Sequence, residues 1–240
     1  MTEINQNIFA GHLLRQVNNG PVLRFVNEEI WPSFLLIACL VILVVVKMKA
    51  FPKVVRIIQS TFSNQILQQL EREEVGAYRF YAIGLNTVFL VNLSFLAYKL
   101  NSIYRFVLTD SSHLAQFTFF LAIMFGILLF KNLCNFLLAL FTGERKAISD
   151  YMINSALINQ TFGLFLLPCV ILMEFSPFNP AIFVWIGIVV LFTGIFIKWY
   201  RGLIMGLVEE RIGLLQIFSY FCGLEILPVF VLAKYIIETF

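Results

Sequence analysis

Glu225 is the residue best placed for chemistry in this chain, because it stands inside an apolar run, Phe221-Cys222-Gly223-Leu224-Glu225-Ile226-Leu227-Pro228. A carboxylate at the centre of a membrane helix costs about 2.5–3.5 kcal/mol on insertion scales, so it must face protein or water and find a partner. Pro228, three residues on, cannot donate to the Leu224 carbonyl, and a bend there leaves backbone groups for a side chain or water to satisfy. Glu225 can therefore serve as a proton or ligand site, as a contact to another subunit, or as a helix-packing hydrogen bond. With no second acid inside an apolar run, structural or subunit contact is the favoured role. Asn86, Asn92 and Ser94, and Asn159, Gln160 and Thr161, are further polar residues within apolar runs. Amides and hydroxyls of this kind commonly join helices, contributing about 0.6 kcal/mol each.

Signatures of the usual catalytic classes are lacking. His12 and His113 are the only histidines, Asp110 and Asp150 the only aspartates, and no HExxH, GxSxG or glycine-rich phosphate loop occurs. Cys39, Cys134, Cys169 and Cys222 form no CxxC pair and lie in or beside apolar stretches, which points to buried thiols and to no metal centre. No cofactor is implied. The pattern points away from an enzyme, although a lipid-modifying activity using loop residues stays open.

The surroundings of these residues fix the class of protein. Of the 240 residues, 60% are apolar and 13% charged, with a mean hydropathy of +0.88. Ordinary soluble domains are about 45–50% apolar and about 25% charged. A soluble fold could not hide that excess, so the composition requires an all-α polytopic membrane protein. The formal net charge of +3 gives no argument for nucleic acid as a partner.

Six runs approach the ~20 apolar residues that a helix needs to cross a bilayer: residues 31–46, 80–98, 114–130, 158–173, 181–197 and 212–233. The third has apolar residues continuing past Lys131 through Leu137. Residues 1–30 precede the first run and carry no signal-peptide pattern. If the N-terminus is extracytoplasmic, twelve of the 17 Lys and Arg residues fall in cytoplasmic segments. The positive-inside rule therefore puts both termini outside the cytoplasm, which is the periplasm in a diderm bacterium.

Between the first two runs, Phe51, Val54, Val55, Ile58, Phe62, Ile66 and Leu70 recur at three- and four-residue steps. This spacing predicts an amphipathic interfacial helix over residues 51–74, with a basic start attracted to anionic lipid. The cytoplasmic turns carry mixed charges, among them Arg72, Glu144, Arg145, Arg201, Glu210 and Arg211, which suit docking to a partner. The fourth and sixth runs also align at an offset of sixty, Gly163-Leu164 with Gly223-Leu224 and Leu167-Pro168 with Leu227-Pro228. That likeness admits three repeated hairpins, or chance matching of Leu-rich runs.

FSYFCGLEILPVFVLAKY, residues 218–235, resembles the C-terminal signature of an uncharacterised inner-membrane family of Bacteroidota. The resemblance makes Cys222, Glu225, Ile226, Leu227, Pro228 and Lys234 the family positions. That family is a domain of unknown function, so it implies a bacterial inner-membrane location and no activity. The layout from Gly143 to Pro168 is also similar to Yip-type membrane proteins. Three functions follow from the residues. The first is a non-catalytic subunit or scaffold of an envelope complex, contacting lipid and a membrane-protein partner or a second copy. The second is a small transporter or channel using Glu225, and the third a lipid-active enzyme.

The orientation is testable directly. Alkaline phosphatase fused after Phe240 is expected to be active and a green fluorescent protein fused there dark, with the reverse after Glu74. A bright fluorescent fusion at the C-terminus contradicts an even number of spans with an extracytoplasmic N-terminus.

Overall fold

A computed structural model describes residues 30–63, 66, 79–105, 111–142, 145–208 and 234. By chain contacts, Trp31–Phe240 forms one unit, to which every described residue except Ile30 belongs. Among the described residues the structure is all-α. Five long helices follow one another: α1 (Trp31–Phe62), α2 (Arg79–Tyr104), α3 (His113–Thr142), α4 (Arg145–Phe175) and α5 (Pro180–Val208). Each contains a stretch long and apolar enough to cross a membrane: Trp31–Lys49, Tyr81–Tyr104, His113–Leu137, Ile148–Phe175 and Pro180–Gly202. The expected sixth span, residues 212–233, lies outside the described residues.

Local chemistry sets the helix ends. Asn179 is the N-cap of α5, its Oδ1 accepting the Ala181 N–H at 3.0 Å, and Pro180 fills the first helical position, where its missing N–H costs nothing. Ser112 caps α3 through a longer 3.4 Å bond from the Ala115 N–H. Arg105 ends α2 in the left-handed region, φ 53°, and its N–H bonds the Asn101 carbonyl at 2.7 Å. The third helix runs on past Lys131 as expected. The fourth begins thirteen residues ahead of its apolar run.

α4 is the hub, touching all four other helices. Of its membrane-length stretch 61% is buried, against 17% for α3 and for α5. Small residues make this close packing possible. At Gly163 an added Cβ would lie 2.8 Å from Phe89 Cβ and 2.9 Å from Phe89 Cα, so α2 and α4 meet at backbone distance. On the other side, Gly187 faces Leu96 and Met173, and Gly194 faces the ring of Phe162. Such close approach is how helices associate in lipid, where no hydrophobic force separates protein from solvent.

One pole is closed by an aromatic cluster. Trp31 lies with its ring centroid 5.1 Å from Phe117, 5.5 Å from Tyr98 and 6.2 Å from Phe95. Tyr98, at 5% exposure, is packed inside this cluster. Beside it Lys99 pairs with Glu174 at 2.6 Å, joining α2 to α4.

Residues 51–62 do not form a separate helix: they continue α1. Leu36 shares a buried cluster with Val170, and Cys39 shares one with Leu167, so α1 descends antiparallel to α4. Continued straight, α1 would carry Thr61 about 22 Å beyond Val46. Instead Val46 and Ile57 share one cluster with Leu85 and Leu157, and Thr61 Oγ1 meets Thr161 Oγ1 at 2.9 Å. The helix must bend between them, at Pro52, which has no N–H for the Met48 carbonyl and whose ring crowds it. The arm beyond Pro52 thus runs across the bundle. Its inward face is Ile57, Ser60 and Thr61, while Phe51 and Val55, on the apolar face expected to lie at the membrane interface, are exposed.

Gly163→Ala is expected to destabilise by about 1–3 kcal/mol, because the obstructing atoms are backbone and cannot swing away. Gly126, where an added Cβ would meet nothing within 4 Å, is the control. Gly126→Ala should be neutral or stabilising by up to ~1 kcal/mol. Thermal unfolding in mild detergent reads both.

Candidate functional site

The arm of α1 ends with an unmet need. The last carbonyls of a helix have no intrahelical donor, and the dipole places partial negative charge there. In water this is trivial, but against apolar helices each such group must be satisfied by protein. Arg201, near the end of α5, meets the need. Its guanidinium donates through Nη2 to the Ser60 carbonyl at 2.6 Å and through Nη1 to Asn154 Oδ1 at 3.1 Å. One side chain therefore joins α1, α4 and α5.

The fork of the guanidinium explains why arginine serves here. Two N–H groups diverge in one plane, toward acceptors on two different helices, which a lysine ammonium could not hold with the same directionality. Arg201 is 5% exposed, Asn154 1% and Ser60 0%. Both acceptors are neutral, and the partial negative charge of the α1 terminus favours the guanidinium. The Ser60 hydroxyl turns back to the Ile57 carbonyl at 2.7 Å. Thr161 Oγ1 reaches the Leu157 carbonyl at 3.0 Å and also joins Thr61, which ties the arm to α4 a second time. On the neighbouring side of α4, Lys131 donates to Ser155 Oγ at 3.3 Å and lies 5.9 Å over the Tyr151 ring, holding α3.

Two further polar links cross the interior. Asn92 donates to the Gly163 carbonyl at 3.0 Å, next to the tight α2–α4 approach. Asn101 donates to Gln116 Oε1 at 3.3 Å, joining α2 to α3. The hydroxyls of Ser94, Thr118 and Thr193 bond carbonyls four residues back in their own helices.

The sequence candidates distribute unevenly over this arrangement. Gln160 is fully buried on α4, beside the Thr61–Thr161 contact in sequence. Asn86 and Asn159 are half-buried and make no interhelical hydrogen bond among the described residues. Arg201, a docking candidate by its position in a charged turn, is turned inward. Arg145 opens α4. Glu225, Pro228, Arg72, Glu144, Glu210 and Arg211 lie outside the described residues.

Ser60, Thr61, Asn154, Lys99 and Glu174 carry no mark in a linear reading. The usable signal was Pro52 in the middle of a helical pattern, followed by Ile57 and Thr61 four apart. Among the described residues no three His, Cys, Asp or Glu side chains come together as metal ligands. The arrangement is thus suited to holding helices at fixed positions.

Five helices long and apolar enough to cross a membrane, packed around a buried polar clamp, make an all-α arrangement compatible with a multi-pass membrane protein. The chain belongs to the family described as domain of unknown function DUF4271, whose match covers residues 33–236. The matched range includes all five helices and also Glu225 and Pro228. No curated protein and no solved structure matches the chain.

Arg201→Leu should cost about 1.5–3 kcal/mol, the range for hydrogen bonds to a charged group, and leave the Ser60 carbonyl buried and unmet. Arg201→Lys should recover only part of this. Hydrogen exchange over residues 52–63 is the readout: exchange should rise sharply in Arg201→Leu while residues 160–173 stay protected. Unchanged protection of the arm would remove Arg201 as its cap.

Proposed function

We propose that this protein is a non-catalytic membrane subunit or scaffold of a bacterial cell-envelope complex. The observation that carries this reading is the use made of the interior polar groups. Arg201, Asn154, Asn92, Asn101, Gln116, Lys99 and Glu174 bond one another or backbone across helices. Groups committed in this way fix helix positions and present a rigid surface. Outward, α1, α3 and α5 offer large apolar faces, including Trp185, Phe192 and Phe196 on α5, suited to lipid and to helices of a partner.

In this reading the Arg201 pole is cytoplasmic, both termini are periplasmic, and the membrane is the bacterial inner membrane. Lys and Arg distribution supports that orientation. Glu225, within a Cys-x-x-Glu-Ile-Leu-Pro signature of Bacteroidota proteins, would contact a partner helix or another span of this chain. Arg72, Glu144, Arg145, Glu210 and Arg211 would form the cytoplasmic docking surface. The alternatives are transport through a path containing Glu225 and lipid chemistry at the charged turns.

Purification at native abundance in mild detergent, with mass spectrometry of protein and lipid, tests this. A stoichiometric membrane-protein partner, reduced at least about tenfold by Glu225→Ala, is the expected outcome; a lost contact worth ~1.4 kcal/mol suffices for that. A lone, monodisperse chain carrying an enriched small molecule would transfer the assignment to transport.

A further inference from the structure

We propose that the elbow of α1, around Lys47–Arg56, is a binding surface for the headgroup phosphate of an anionic phospholipid in the leaflet at the Arg201 pole. Three observations meet there. First, the elbow lies at the right depth. The apolar stretch of α1 runs from Trp31 to Lys49, about 27 Å at 1.5 Å per residue, close to the ~30 Å thickness of bilayer hydrocarbon. Trp31 is anchored in the aromatic cluster at one end, so Lys47 and Lys49 emerge at the headgroups of the other.

Second, the elbow exposes apolar and cationic groups side by side. Met48 is 82% exposed, Phe51 55% and Val55 37%, at helical spacing along the outward side of the bend. Lys47 Nζ lies 5.7 Å over the Phe51 ring, which keeps the ammonium beside the surface that would enter the acyl boundary. A soluble anion matches only the cation; a phospholipid matches both parts. Third, within α1 itself the charge is of one sign. Lys47, Lys49, Lys53 and Arg56 fall within ten residues, and no Asp or Glu occurs anywhere in α1. A zwitterionic headgroup brings its own cation to such a surface, whereas an anionic one does not.

The Arg201 clamp gives the elbow its direction. With Ser60 and Thr61 held inward on α5 and α4, the opposite side of the arm, and the bend that precedes it, must face outward. The elbow is therefore a preorganised surface, and its lipid preference does not depend on any partner of the protein.

The test uses the full-length protein in mild detergent, titrated separately with phosphatidylglycerol, phosphatidylcholine and inorganic phosphate, with bound lipid counted by native mass spectrometry. Wild type is expected to bind phosphatidylglycerol at least about fivefold more tightly than phosphatidylcholine. That preference should fall about fivefold for each cation removed, in Lys47→Gln and then in Lys47→Gln/Lys49→Gln. Phe51→Ser should weaken both lipids together and leave the preference intact. Unfolding midpoints without lipid check that the variants are folded. Equal binding of the two lipids by wild type, or an undiminished preference in the folded double variant, overturns the proposal. Displacement of phosphatidylglycerol by equimolar inorganic phosphate overturns the lipid as occupant and leaves an anion site.

Discussion

A polar group in hydrocarbon must find its partner inside the protein, and the described structure follows from meeting that condition at a few points. The most demanding is the C-terminal end of the α1 arm, where the backbone of Ser60 is buried. Arg201 resolves it with a guanidinium directed at the Ser60 carbonyl and at Asn154. The guanidinium and the partial negative charge of the helix terminus attract one another, which offsets part of the cost of burying the arginine. At the opposite pole the solution differs: Lys99 and Glu174, each about one-fifth exposed, pair directly next to the Trp31 aromatic cluster.

These polar links act together with close packing. α4 carries most of them, and it and α2 are the two described helices that touch every other one. Gly163 lets α2 approach to backbone distance, and only at that separation can Asn92 reach the Gly163 carbonyl. In the same way, Pro52 turns the arm inward, and only then do Thr61 and Ser60 come within reach of Thr161 and Arg201. Bend, glycine contact and hydrogen bond are mutually dependent, which favours one arrangement of helices over its neighbours.

Much of the fold could be read from the sequence because hydrocarbon thickness imposes a simple length rule. The first five apolar runs each fall inside a described helix. Boundaries were harder to read: α4 begins thirteen residues before its apolar run, since polar residues such as Asn154 and Ser155 are helical and face inward. The arm of α1 was recognisable as helical by its periodicity, but periodicity alone could not tell which side packs. Phe51 and Val55 are exposed while Ile57, Ser60 and Thr61 turn inward, because in a membrane protein the outward side is apolar as well. The clamp itself was illegible. Arg201 stands in an ordinary charged turn by sequence, and its partners are a backbone carbonyl and an asparagine 141 and 47 residues away.

For function, the weight rests on what the polar residues are occupied with. Buried amides and charges that bond across helices are what support the proposed scaffold reading, and the family to which the chain belongs assigns no activity to it. All of this requires that the α1 arm lie folded back against α4. Disulfide cross-linking in native membranes tests that most directly, with Thr61→Cys and Thr161→Cys placed in a chain whose four cysteines are replaced by serine or alanine. A folded-back arm predicts rapid, near-complete bridging of the pair under mild oxidation. Failure of the folded protein to form that bridge would contradict it, because an α1 that continued straight would leave the two positions about 20 Å apart or more.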